Sequence, residues 1–328
     1  MITKKRYIFF LLNVFICILL TGCIHDHPDG NGVDPSLLEA DIELSINLNW
    51  GENETKPFYT TRGRNDEGTI GIIEVSRDGS LIGRDEFRIS PEEMEEGLAS
   101  HKLSFGVHAL EYDIAVWMEN PSEQNIKYKF DNSNLKNIHL FEESTFWEND
   151  RQCGYAHKHL DLTKFKGQWG IKINESLDLN HPGGRFKLIA TDLRKFVVNE
   201  IESIEKGETY TLTIEFGGNI ADTFNAYNGS VAKQGHSFTY TDNLTLNYSI
   251  FEETEIAAGY VLCDDEDTVT MTLTVHNSAR MPVVKSSEFS FPVKRGMISI
   301  VKGEFLSEKV TNLISVDNVW EDEIFIDL

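Results

Sequence analysis

Ile42-Glu43-Leu44-Ser45-Ile46-Asn47-Leu48-Asn49-Trp50 alternates apolar and polar side chains without a break. Successive side chains of a strand point to opposite faces. Period two therefore puts Ile42, Leu44, Ile46, Leu48 and Trp50 in one row against a core and turns Glu43, Ser45, Asn47 and Asn49 toward solvent. The same signal recurs outward from this stretch, in Ile70–Val75, Leu103–Val107, Leu110–Val116, Ile126–Phe130 and Ile138–Phe141. The one interruption is Pro91–Leu98, where Glu92 and Glu93 near the start suit the positive end of a short helix.

The second half repeats the theme. Trp169–Ile173, Arg185–Ala190, Thr209–Phe216, Ser237–Tyr240, Leu244–Phe251, Thr268–Val275, Glu288–Val293, Met297–Val301 and Ile324–Ile326 are strand candidates. Pro182-Gly183-Gly184, Gly217-Gly218, Asn228-Gly229 and Lys302-Gly303 supply turns between them. Asp192–Ile204 carries Leu193, Phe196, Val197 and Ile201 at helical spacing, with loop plus strand as the competing reading because of its Val-Val pair. This distribution predicts an all-β chain of two tandem β-sandwich domains with few short helices. The expected divisions are 1–22 signal, 23–36 spacer, 37–165 first sandwich and 166–328 second sandwich.

Upstream of the first strand, Lys4, Lys5 and Arg6 precede an apolar run from Tyr7 to Leu20, and Leu20-Thr21-Gly22-Cys23 closes it. A basic head, a hydrophobic stretch, small residues and a cysteine form an export signal with a lipoprotein cleavage site. Cleavage is expected between Gly22 and Cys23, with acyl chains attached at Cys23. The run holds fourteen residues and includes Asn13, whereas a spanning helix needs roughly 20 apolar residues. Each buried methylene contributes ~0.8 kcal/mol, so two or three acyl chains hold a protein to a membrane durably. The segment from Ile24 to about Ser36 is polar and rich in Gly and Pro, which makes it a flexible spacer.

Composition bounds the partners. The formal net charge is −23, and residues 1–22 contain three cations and no acid, so the processed chain stands at −26. Nucleic acid recognition needs a basic face, which such a chain does not supply. Of the four cysteines, Cys17 leaves with the signal and Cys23 takes lipid. Cys153 and Cys263 are either two buried thiols or a disulfide, in a compartment that permits one. Their spacing is not that of a zinc site.

Several blocks together carry a resemblance: the lipoprotein signal with its spacer, the early alternating strand, and His181-Pro182-Gly183-Gly184-Arg185-Phe186-Lys187-Leu188 followed by Thr191-Asp192-Leu193. Phe216 with Ala221-Asp222-Thr223-Phe224-Asn225, Phe291-Pro292-Val293-Lys294-Arg295-Gly296-Met297 and Val301-Lys302-Gly303-Glu304-Phe305-Leu306 extend it, as does Trp320 in its acidic context. In these the chain resembles the FimB-type fimbrial anchor subunits of Bacteroidetes. The resemblance implies transthyretin-like sandwiches, lipid attachment to the outer membrane with the body outside the cell, and attachment of a type V pilus. It also implies fimbrillin stalk or accessory subunits as partners, joined by strand complementation. The row Ile42, Leu44, Ile46, Leu48 and Trp50 is then the candidate assembly strand. Arg62 and Arg64 lie in a polar loop after it, a solvated turn or a processing site.

Catalytic chemistry finds few footholds. No Gly-x-Ser-x-Gly elbow, Walker sequence or dinucleotide fingerprint is present. His157 and His159 with Asp161 could share one face of a strand and meet a metal, but isolated His-x-His pairs are usually solvated. His25 and His27 lie in the spacer, which cannot preorganise a site. Asp264-Asp265-Glu266-Asp267 lacks the calcium-loop pattern and reads as a solvated hairpin turn. The expectation is a non-enzymatic protein with no cofactor and no metal. The alternative function is a carbohydrate-binding surface lipoprotein beside a glycan importer, with Trp117, Trp147, Trp169 and Trp320 as candidate sugar platforms.

Overall fold

A computed structural model describes residues 39–48, 69–119, 130–140, 153–166, 168, 171–217, 220–233, 238–246, 253–307 and 324–327. Gly22, Cys23, the spacer, Trp50, Arg62, Arg64, Trp147, Trp169 and Trp320 lie outside them.

The first half contributes β1 (Glu39–Asn47), β2 (Thr69–Arg77), β3 (Ser80–Ile89), β4 (Leu98–Lys102), β5 (Val107–His108), β6 (Glu111–Glu119), β7 (Phe130–Asp131), β8 (Ile138–Leu140), β9 (Cys153–Asp161) and β10 (Lys172–Asp178). One sheet runs β3-β2-β6-β9; the facing sheet runs β10-β1-β4, with β5 also paired to β1. Ile42, Leu44 and Ile46 of β1 interlock with Ile73 and Val75 of β2, Ile114 and Val116 of β6, and Ile173 and Leu177 of β10. Strand β10 thus completes the first sandwich, beyond the division at 165/166 suggested by the sequence.

Local chemistry explains several elements. Asp78 and Gly79 both take positive φ (51° and 79°), the geometry of the tight turn that matches strand twist, and so fold β2 onto β3. The helix α1 (Pro91–Glu96) starts at a reciprocal cap, in which the Glu93 amide donates to Ser90 Oγ and the Ser90 amide donates to Glu93 Oε2. The expected strand at Leu103–Val107 is instead a break between β4, which ends at Lys102, and β5, which starts at Val107. The Ser104 amide donates to Asp85 Oδ2 at 2.6 Å, which removes it from a ladder.

The second half adds β11 (Gly183–Ala190), helices α2 (Leu193–Asn199) and α3 (Ile201–Glu205), β12 (Tyr210–Phe216), β13 (Thr223–Asn225), β14 (Ser230–Ala232), β15 (Thr239–Asn243), β16 (Thr254–Leu262), β17 (Glu266–Asn277), β18 (Pro282–Lys285), β19 (Phe289–Lys294), β20 (Ile298–Gly303) and β21 (Ile324–Asp327). A sheet ordered β16-β11-β20-β21 faces a sheet ordered β15-β12-β17-β18, with β19 also paired to β17. Phe186, Leu188, Leu212, Ile214, Leu273, Phe291 and Val301 fill the space between them. At the start of β11, a Cβ on Gly183 would sit 1.9 Å from the Val261 carbonyl oxygen of β16 and one on Gly184 2.4 Å from the Lys294 carbonyl oxygen of β19, so the Gly-Gly pair lets both strands approach.

The chain is therefore all-β with two sandwiches, and among the described residues it has three short α-helices and one 3-10 turn at Thr163–Phe165. Among them no helix is long and apolar enough to cross a membrane.

Candidate assembly strand and the joint between the sandwiches

Strand β1 has both edges occupied. It pairs parallel with β10 from Asp41↔Lys172 to Asn47↔Asp178 and antiparallel with β4 from Glu43↔Lys102 to Asn47↔Leu98; Ala40 meets Val107 of β5. Its apolar row is sealed, since Ile42, Leu44 and Ile46 are 0% exposed and Leu48 is 2%. Its polar row is tied at the surface. Lys102 Nζ meets Asp41 Oδ2 at 2.8 Å and holds that carboxyl below its usual range by hydrogen bond and charge. Ser100 Oγ donates to Glu43 Oε1 at 3.0 Å, and Asn47 Nδ2 donates to Asp178 Oδ1 at 3.1 Å.

The two sandwiches meet through a small antiparallel sheet ordered β14-β13-β8-β7, with two strands from each half of the chain. Trp117 of β6 lies against Phe130 (centroids 5.2 Å) and Phe224 (5.8 Å), and Tyr155 of β9 meets Phe224 edge-on at 4.7 Å. Arg295, in the turn after β19, is the polar hub of this joint. Its Nη1 donates to Tyr155 Oη at 2.6 Å, and its Nη2 donates to the carbonyls of Gly229 at 2.5 Å and Cys263 at 2.8 Å. The guanidinium also lies 5.5 Å from the Tyr155 ring and 5.7 Å from the Phe224 ring. Gly229 sits at φ +70°, where a Cβ would fall 2.5 Å from Tyr155 Oη.

A second polar knot closes the other side of the joint. Buried Glu74 of β2 pairs with Arg84 of β3 and accepts the Leu135 amide at 3.3 Å and Tyr227 Oη at 3.4 Å. Arg84 Nη2 donates to the Asn132 carbonyl at 2.7 Å. Burial, with Glu74 nearby, pushes the Tyr227 phenol up to about 12, so it remains a donor at any ordinary pH. Each ionised group here has a partner, as burial requires.

The residues considered for chemistry take structural places. His157 and His159 do share the exposed face of β9, and His159 Nδ1 lies 3.0 Å from Asp113 Oδ1, whose hydrogen bond raises the imidazole. Among the described residues no group of three or more His, Cys, Asp and Glu is placed to hold a metal ion. Around residues 264–267, Asp267 meets Lys233 at 2.7 Å, Glu266 meets Lys294 at 3.0 Å and Asp264 lies 3.9 Å from Arg295, so cations of the chain itself balance this turn.

Ser104, His101 and Asp85 do converge, but Asp85 stands between the other two. Ser104 Oγ donates to Asp85 Oδ1, and His101 Nε2 lies 3.3 Å from Asp85 Oδ2. A nucleophile needs the base itself as its hydrogen-bond partner, so this cluster is a clasp between β3 and β4. Burial raises the Asp85 carboxyl, and the Ser104 and His101 hydrogen bonds outweigh that and leave it lowered. Trp117 is 0% exposed, which removes it as a sugar platform. Cys153 and Cys263 are separate buried thiols, and burial pushes Cys263 up to about 12, where it is unreactive.

Sequence reasoning did not single out the joint. Phe224 and Arg295 lay within the blocks noted above, and Gly229 within a noted turn, but Tyr155, Glu74 and Arg84 meet them only in space.

Comparison with curated proteins finds no significant match. Among solved structures the chain is similar to a fimbrial assembly protein from Parabacteroides distasonis, at 15% identity over 88% of this chain and 99% of that one, with a TM-score of 0.42. It is also similar to the fimbrial anchor protein Mfa2 from Porphyromonas gingivalis, at 14% identity over 75% of this chain and 81% of that one, with a TM-score of 0.44. A family model matches residues 35–327, and the chain belongs to that family, described as a family of unknown function (DUF6562).

Proposed function

We propose that this protein is the basal, lipid-held subunit of a fimbria on the outer membrane, joining fimbrillin subunits to the cell and limiting fimbrial length. What carries the reading is the sequence order: Leu20-Thr21-Gly22-Cys23, which reads as a lipoprotein cleavage site, a short polar stretch, then a first strand sealed into the centre of its sheet. A subunit that keeps its own first strand offers no vacant groove at that position. A partner must then join by strand complementation elsewhere, and growth stops where no groove is offered.

The role is one of binding and load, consistent with the structural use of Ser104, His101 and Asp85. The test replaces the gene with a Cys23→Ala version and quantifies the partner fimbrillin on cells and in spent medium, with electron microscopy of both. The expected result is fimbriae shed into the medium, some abnormally long. Normal acylation of the mutant, or unchanged fimbriae on the cells, would overturn it. Unchanged fimbriae with poor growth on one glycan would point to the carbohydrate-binding alternative.

A further inference from the structure

We infer that the first sandwich is a shear clamp, in which a pull on the N-terminal end of the chain is borne by the whole parallel β1–β10 ladder at once. The inference rests on the anchoring role only for the source of the pull. The ladder has seven register pairs, from Asp41↔Lys172 to Asn47↔Asp178. Backbone bonds from the Asp41 amide to the Ile171 carbonyl (3.3 Å) and from the Leu179 amide to the Asn47 carbonyl (3.2 Å) extend it at both ends. At about 3.3 Å per residue it is roughly 20 Å long.

The attachments lie at opposite ends of this ladder. The chain enters β1 at Glu39, beside the Asp41↔Lys172 pair, and leaves β10 at Asp178. From there Leu179 and Asn180 lead to the second sandwich, and Asn180 bridges to Tyr155, the residue that Arg295 grips at the joint. Tension between the N terminus and the second sandwich therefore slides β1 along β10. All the interstrand bonds are strained together, and rupture requires many to fail in one step. Had β1 and β10 been antiparallel, the two attachments would share one end, and the bonds would fail one after another.

Packing reinforces the clamp. Side chains alternate with period two, so a slip of one residue would turn Ile42, Leu44, Ile46 and Leu48 out of the core and bring polar residues in. On the other edge, β4 grips β1 from Glu43↔Lys102 to Asn47↔Leu98. Lys102 with Asp41 and Asn47 with Asp178 pin the two ends.

The experiment is single-molecule pulling on the full chain carrying Cys17→Ser and Cys23→Ser, with Cys153 and Cys263 buried. Handles are attached at introduced cysteines. Asp41→Cys with Asp178→Cys loads opposite ends of the ladder, and Asn47→Cys with Asp178→Cys loads one end. Because seven pairs yield together in the first geometry and singly in the second, the first should need a rupture force at least about twofold higher. Circular dichroism and urea midpoints confirm that both variants are folded before pulling. Equal forces, or a stronger one-end geometry, would overturn the clamp while leaving the anchoring role intact. Retention of fimbriae by cells with Cys23→Ala would overturn anchoring and leave the clamp intact.

Discussion

Replacing Arg295 with alanine should uncouple the joint between the sandwiches. The side chain is only 15% exposed, and its guanidinium serves the Tyr155 hydroxyl and the Gly229 and Cys263 carbonyls while lying over two rings. A hydrogen bond from a charged donor contributes about 1.5–3 kcal/mol, and a partly desolvated cation–π contact about 0.5–2 kcal/mol. These do not add in full, because the alanine variant also avoids the cost of desolvating the cation. The expected net loss is about 3–5 kcal/mol, the scale at which removing one member of a buried charged network is felt. Urea unfolding followed by tryptophan fluorescence reads it, since Trp117 lies in the joint. The midpoint should fall, and the transition should broaden as the two sandwiches begin to unfold separately. Asp264→Ala is the control: its carboxylate is 3.9 Å from Arg295 and 59% exposed, so it should change stability by no more than about 0.5 kcal/mol. A loss below about 1 kcal/mol for Arg295→Ala, or equal losses in both variants, would refute the hub.

Leu44→Asp should leave little folded protein, because it buries an unpaired carboxylate in a fully enclosed row, whereas Ser45→Asp should stay within about 0.5 kcal/mol of the parent. Soluble yield and thermal midpoints compare them, and equal effects would contradict the facing of β1. Gly229→Ala should cost about 2–4 kcal/mol, from its φ of +70° and the 2.5 Å approach of Tyr155 Oη, and a neutral urea midpoint would mean that the joint is looser than described. Burial lowers the His181 imidazole to about 4 from its ordinary 6.5, so the folded chain keeps it neutral where the unfolded chain takes up a proton. Its contribution is therefore complete above about pH 6.5 and is lost as pH falls toward 4, by up to about 3 kcal/mol. Urea midpoints at pH 7 and 4.5 should converge for His181→Gln relative to the parent, and parallel pH dependences would disprove this.

The row from Ile42 to Leu48 was legible because one face is buried and the other wet, the one condition under which period two shows in a sequence. Strand β3 was not, although Asp78-Gly79 marks its turn. It carries Arg84, Asp85, Glu86 and Arg88, which hide the alternation; Arg84 and Asp85 face in because Glu74, Ser104 and His101 meet them there. Strand β16 was hidden by Ala257-Ala258-Gly259, whose small side chains have weak strand preference yet pair with Leu188, Lys187 and Phe186 of β11. The Asp192–Ile204 segment resolved as two short helices because Leu193, Phe196 and Ile204 reach the core while Val198 remains exposed. The joint stayed out of reach because Glu74 and Arg84 look like ordinary hairpin charges until Leu135, Asn132 and Tyr227 are brought over them from distant segments.

The burial of β1 also constrains how another subunit could engage this one. Fully burying a large aliphatic side chain contributes about 1.5–3 kcal/mol, so Ile42, Leu44, Ile46 and Leu48 together hold the strand by about 6–12 kcal/mol before its ladder bonds are considered. A donor strand competing for that groove would have to displace this row while matching its register on both sides. Tethering adds to the disadvantage, because a displaced β1 remains covalently attached and can rebind at high effective concentration, whereas the donor arrives from solution. Exchange at β1 is therefore disfavoured by both packing and connectivity. A partner strand would have to add at the margin of a sheet instead, and among the described residues β15, paired with β12 from Thr211↔Asn243 to Glu215↔Thr239, ends the order of its sheet.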